Sequence, residues 1–119
     1  MCLTENWTEK KISEWHKKTF PKATLTSQLL KLHEELLELK RCDKYSLDFL
    51  EEVADCMIAA SALAGRFKSP VGNMVLAALA PDKEDVDLSF LLYHHVNLKM
   101  EKNLHRTWKK AKGVYRHED

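Results

Sequence analysis

The sequence predicts an all-α protein: an antiparallel bundle of about five helices, built as one domain over residues 1–119. Glycine and proline occur three times each, too rarely to break the chain into many short strands. Leu25, Leu29, Leu32, Leu36 and Leu39 recur at steps of four and three, one stripe of an amphipathic helix. A length of 119 residues suits a single hydrophobic core.

The helices follow one another along the chain. The first is expected from Glu5 to Lys18, with Ile12, Trp15 and Phe20 on its apolar side and Pro21 at its end. Thr24 or Thr26 caps the second, which carries the leucine stripe and fades near Arg41 to Asp43. The third begins near Ser46, with Asp43 and Asp48 favouring its positive end. Leu47, Leu50, Ala54, Met57, Ile58 and Ser61 mark its buried stripe, and Gly65 stops it. Ser69-Pro70 supplies the N-cap and first residue of a short fourth helix, with Val71, Met74, Val75 and Leu79 inward. After a turn over Pro81 to Glu84, a long fifth helix is expected from Asp85 to Lys110, with Gly113 beyond its end.

Composition excludes several classes. A hydrophobic share of 45% beside 31% charged residues is that of a soluble globular protein. A net charge of +1 gives no support to binding a nucleic-acid polymer. No apolar run approaches the roughly 20 residues that span a bilayer, so no membrane partner is expected. The opening MCLTENWTEKK lacks the apolar stretch of a signal peptide, and cytoplasmic residence is the default expectation. Cys2, Cys42 and Cys56 fit neither a disulfide framework nor a zinc pattern, and three free thiols suit a reducing compartment.

The acidic residues carry the chemistry. A helix turns about 100° per residue. With the leucine stripe taken as core-facing, Gln28, Lys31, Glu35 and Glu38 share one flank of the second helix, while Glu34 points nearly the opposite way. On the third helix Asp48, Glu51, Glu52 and Asp55 cluster, and Ala59 and Ala62 continue that side, as in a groove with a charged end and room beyond it. Glu35-x-x-Glu38 and Glu52-x-x-Asp55 are both i,i+3 pairs, so each shares a helical face. In an antiparallel hairpin the two pairs converge between the second and third helices. Four carboxylates so close repel unless cations lie between them, and an oxygen-only set suits Mg2+ or Mn2+. The plainer reading is a charge-rich solvated face, since Glu and Leu are strong helix formers.

The fifth helix adds a cationic face. Leu92 and Val96 define a stripe that continues as Lys99, Asn103, Arg106 and Lys110. An inward face that turns cationic needs an anion, and a triphosphate meets that need. An exposed helix end, where cations favour the C-terminal dipole, is the alternative. Leu91, Leu98 and Met100 widen the apolar surface, which points to a partner helix from another subunit. Trp15 and Phe20 are either core or a stacking surface for a nucleobase. Gln28 can read a base edge through its amide, or serve as a surface or interface amide. His33 is not expected to be a ligand, and His94-His95 point about 100° apart, too far to chelate one ion. Trp108 is expected to pack with Leu104 one turn back, and Cys56 to be a buried structural thiol.

KLHEELLELK followed by EEVADCMIAA resembles the E-E-x-x-E … E-x-x-D signature of the MazG-like all-α nucleotide pyrophosphohydrolases, carried by Glu34, Glu35, Glu38, Glu52 and Asp55. Trp15 and Phe20 in EWHKKTF, Lys31, KMEKNLHRTW and the late GVYRH are similar to the phage and bacterial dATP/dGTP pyrophosphohydrolases, the MazZ-like branch. The resemblance runs from about Trp15 to His117. It departs in a longer stretch between Gly65 and Lys99, which leaves loop lengths and the cover of the pocket open. It implies a homodimer or homotetramer that hydrolyses a purine deoxynucleoside triphosphate, dGTP or dATP, to the monophosphate and pyrophosphate. Glu35, Glu38, Glu52 and Asp55 would be metal ligands, and Glu34 would reach a further metal or orient the attacking water. A metal-activated water would attack the α-phosphorus. Lys31, Lys99, Arg106 and Lys102 would hold phosphate oxygens, and Asn103 would contact a phosphate, the sugar or a water.

Two other readings compete. A carboxylate-bridged di-iron protein needs Glu-x-x-His elements, which neither acidic pair supplies. A non-catalytic helical interaction module explains the amphipathic helices, but not acidic pairs facing a cationic stripe.

Overall fold

The computed structural model describes residues 7–46, 48–80, 86–111 and 114–117. Five helices, α1 (Glu9–Thr19), α2 (Leu25–Arg41), α3 (Asp48–Gly65), α4 (Pro70–Leu79) and α5 (Val86–Leu104), precede a two-stranded hairpin of β1 (Trp108–Ala111) and β2 (Val114–His117). The all-α expectation holds. The start at Glu5, Leu47 of the third stripe, the Pro81 to Glu84 turn and Gly113 lie outside the described residues.

Local chemistry sets the helix starts. Thr8 caps α1, its hydroxyl accepting from the Lys11 amide. Thr24 caps α2 in a reciprocal box: Ser27 N donates to Thr24 Oγ1 (3.0 Å) and Thr24 N donates to Ser27 Oγ (2.8 Å). Ser69 caps α4, and Pro70 sits first in that helix, where a missing N–H costs nothing.

α3 is the central element and packs against each of the other four helices. Its residues 53–64 are buried all round, apart from the half-buried Asp55. Alanines make that possible: Ala54, Ala59, Ala60, Ala62 and Ala64 let four neighbours approach. One close approach is at Gly72 of α4. A Cβ there would lie 2.5 Å from Ala64 N and 2.6 Å from Ala60 O, so only glycine lets α4 seat on α3. One buried cluster joins Ile12, Met57, Ile58, Leu92, Val96 and Met100; a second joins Leu32, Ala59, Ala60 and Leu63. Each fully buried large side chain contributes about 1.5–3 kcal/mol.

Four expectations need correction. The fifth helix ends at Leu104, not Lys110: His105 N donates to Lys102 O and Arg106 N to Asn103 O, tight turns that close the last helical turn. Beyond them Trp108 pairs with His117 and Lys110 with Tyr115 in an antiparallel ladder. Aromatic side chains favour a strand wherever it packs on a hydrophobic surface, and Phe20 supplies that surface: Trp108 and Tyr115 lie 5.0 and 4.7 Å from it, ring centroid to centroid. Trp108 therefore packs on α1, not on Leu104, which is exposed. On α2 the inward face is turned from the leucine stripe toward the acidic flank. Gln28, Leu32 and Glu35 are buried, while Leu25 and Leu29 are exposed. On α4, Val71 and Met74 are exposed, and Leu76 with Val75 and Leu79 meets the core instead. The tight Gly72 contact fixes that rotation.

Among the described residues no helix is long and apolar enough to cross a membrane. Leu91 and Leu98 of α5 are exposed, whereas Met100 of the same helix is fully buried.

Candidate functional site

The order of contacts between α2 and α3 shows that the two helices run antiparallel. Gln28 donates to Ala59 O, while seven residues later Glu35 meets Glu52 and Asp55, which lie earlier on α3. The helical i,i+3 spacing thus brings acidic pairs from both helices to one place, as their pattern predicts. One carboxylate oxygen each from Glu35, Glu52 and Asp55 lies within 4.8 Å of the others. Glu38 borders the same cavity but stands outside this triad.

Two lysines face the acids. Lys31 Nζ is 2.9 Å from Glu35 Oε1, one turn along α2. Lys99 Nζ reaches from α5 to within 3.5 Å of Asp55 Oδ2. They do not neutralise the cluster. Glu52 Oε2 is sealed from solvent and has no hydrogen-bond partner. Desolvation first, then the charges of Asp55, Glu38 and Glu35, raises the Glu52 pKa from 4.5 to about 7, against the pull of Lys99. Asp55 rises from 3.8 to about 6 through burial, with Lys99 opposing and Glu35 adding to the rise. The cluster is an acidic site short of positive charge, and its orphaned oxygen fits a divalent cation held by hard oxygen donors.

These acids form one end of a cavity of about 440 Å3, within the range of small-molecule sites. Lys31, Lys99, Asn103 and Arg106 line it beside the acids; Arg106 Nη1 donates to Asn103 Oδ1 at 3.0 Å. The other end is aromatic. Trp15, Phe20, Trp108 and Tyr115 line it and touch one another mostly edge to face, with Trp15 and Phe20 at 5.4 Å between centroids. Ala59 lines the cavity too, so the small side chain after the acids does leave room.

Gln28 is buried at this wall and is held on both sides. Its Nε2 donates to Ala59 O (2.9 Å) and its Oε1 faces His16 Nε2 (2.8 Å). Burial and the charge of Arg66 push His16 down to about 4, so it is neutral over the physiological range. Cys56 lies fully buried beneath the acids, a free thiol that burial pushes up to about 12.

The structure thus gathers most of the residues singled out from sequence: Trp15, Phe20, Gln28, Lys31, Glu35, Glu38, Glu52, Asp55, Lys99, Asn103 and Arg106. Two stand apart. Lys102 is exposed and borders a separate shallow depression with Glu101 and His105, because it lies one residue off the inward stripe of α5. Glu34 is half-buried and does not line the cavity, as its direction on the helical wheel implies. The lining also includes His16, Trp108, Tyr115 and His117, which were not read as site residues. His16 stands one turn from Ile12 and one from Phe20, a polar residue on an apolar stripe, which is a readable signal. The other three required the hairpin.

No protein-family model, curated protein or solved structure matches this chain.

Proposed function

We propose that this chain is a metal-dependent phosphohydrolase of the helical type, acting on a nucleotide held between an acidic cluster and an aromatic wall. More particularly, we propose a MazG-like nucleoside triphosphate pyrophosphohydrolase that cuts dGTP or dATP to the monophosphate and pyrophosphate. The observation that carries this reading is the meeting of Glu35, Glu52 and Asp55, with Glu52 Oε2 buried and unpartnered, in the wall of a nucleotide-sized cavity.

Glu35, Glu52 and Asp55, with Glu38 alongside, would hold Mg2+ or Mn2+. The bound cation supplies Lewis acidity toward phosphate oxygens and water. Lys99 and Arg106 bind triphosphate oxygens and place negative charge beside the acids; Lys31 adds a third cation from α2. Glu35 itself is buried, which strengthens its own charge interactions. The aromatic end accepts the base and so fixes the triphosphate in register with the acids. Leu91 and Leu98, exposed on α5, favour burial against a second copy of the chain in a homodimer or homotetramer.

The test is incubation with a panel of nucleotides and either cation, with detection of pyrophosphate. Release from a purine deoxynucleotide that is lost in Glu38→Gln and Asp55→Asn, both still folded, is the expected result. Either variant cutting dGTP and dATP at the parental rate would overturn the ligand assignment.

A further inference from the structure

The hydrogen-bond chain Arg66–His16–Gln28 runs from the end of α3 to the cavity wall, and each link dictates the next. Arg66 Nη1 is 2.9 Å from His16 Nδ1, and a guanidinium only donates. His16 Nδ1 must therefore be the acceptor, which puts the proton of the neutral ring on Nε2. That Nε2–H faces Gln28 Oε1 at 2.8 Å and can only donate to it. The Gln28 nitrogen then lies toward Ala59 O, to which it donates at 2.9 Å. Turning the amide over would set donor against donor at His16 and acceptor against acceptor at Ala59. Arg66 is itself pinned: the same Nη1 donates to Phe20 O (2.8 Å) and Nη2 to Pro21 O (3.3 Å).

We propose that His16, with its tautomer set by Arg66, is a positioning residue that locks the Gln28 amide in one orientation and thereby makes the cavity discriminate 6-oxo from 6-amino purines. This rests on the nucleotide reading above and deepens it. After its two internal bonds, Gln28 keeps one N–H and one oxygen lone pair for a ligand. The two purine classes present opposite orders on the edge that pairs: N6–H then N1 in adenine, O6 then N1–H in guanine. A locked amide matches one order and meets the other with like against like. Held by Ala59 O alone, without the second bond from His16, the amide turns over more readily and serves both less unequally.

The experiment measures affinities of the full-length chain, with magnesium, for α,β-methylene analogues of dGTP and dATP by calorimetry, so that no turnover is needed. The wild type is expected to prefer one analogue by roughly tenfold or more. His16→Phe keeps a planar ring but loses the N–H, and Arg66→Met frees the tautomer; with Ala59 O then the amide's single fixed partner, both are expected to reduce the ratio of the two affinities by about threefold or more. Arg66→Lys, which keeps a donor at Nδ1, is expected to retain the preference. In the Gln28→Leu background His16→Phe is expected to have no further effect on the ratio. Nitrogen-15 spectra of the wild type should show the Nε2–H tautomer at His16. An Nδ1–H tautomer, a wild type without preference, or variants that weaken both analogues equally would each overturn the proposal. If His16→Phe does not fold, Arg66→Met and the spectrum decide. Selective binding without pyrophosphate release would leave this proposal standing and defeat the hydrolase reading alone.

Discussion

Glu52→Gln separates a cation site from a merely crowded acidic surface. The Glu52 pKa rises from 4.5 to about 7, chiefly through burial and the neighbouring Asp55. Because the folded value lies above the unfolded one, ionisation opposes folding. The stability is full below about pH 4.5 and is lost as pH rises through about 7. A rise of that size is worth roughly 3 kcal/mol in full; solvent around the half-buried side chain screens it to about 1–2 kcal/mol. With chelator present, Glu52→Gln should therefore be more stable than the parent by about 1–2 kcal/mol near pH 8 and equal to it near pH 4. Magnesium at a hundredfold excess over its Kd should then stabilise the parent by about 2.7 kcal/mol and the variant by far less, reversing the order. Urea unfolding at both pH values, with chelator and with magnesium, reads all four quantities. A variant less stable than the parent in chelator at pH 8, or a difference that ignores pH, would refute the reasoning.

Other consequences follow from particular contacts. Gly72→Ala should cost about 1–3 kcal/mol, because the added methyl meets backbone atoms of α3; denaturant midpoints check it. Lys99→Met should raise the Asp55 pKa further, since Lys99 holds it down, and weaken triphosphate affinity by roughly tenfold; carboxylate titration by NMR and calorimetry measure the two effects. Trp108→Ala removes ring contacts to Phe20 and Trp15, and should lower stability by about 2 kcal/mol and weaken nucleotide analogues. Cys56 should resist a thiol reagent until the protein unfolds, while the half-buried Cys42 reacts in the native state.

Much of the site was legible because helical geometry is rigid. Glu35, Glu52 and Asp55 had to share faces once the helices were recognised, and Lys99 and Asn103 had to follow Leu92 and Val96 down one side of α5. The rotation of α2 was less legible. Leu25, Leu29, Leu32, Leu36 and Leu39 outnumber the polar residues beside them, yet of these leucines Leu32 alone is buried, together with Gln28 and Glu35. A buried amide with partners from His16 and Ala59, and an acid facing others, give no signal in an apolar count. The start of the first hairpin strand reads as helix because Arg106 and Lys110 continue the stripe of Lys99 and Asn103. What decides it is tertiary: Trp108 and Tyr115 find Phe20, some ninety residues earlier in the chain. Gly72 was equally silent, since its value lies in an approach to α3 that no local pattern reports.

The most direct measurement is anomalous diffraction from crystals grown with manganese. A peak within roughly 2.5 Å of oxygens from Glu35, Glu52 and Asp55 is expected, lost in Asp55→Asn crystals. Density for manganese only elsewhere on the surface, or none at millimolar concentration, would contradict the account.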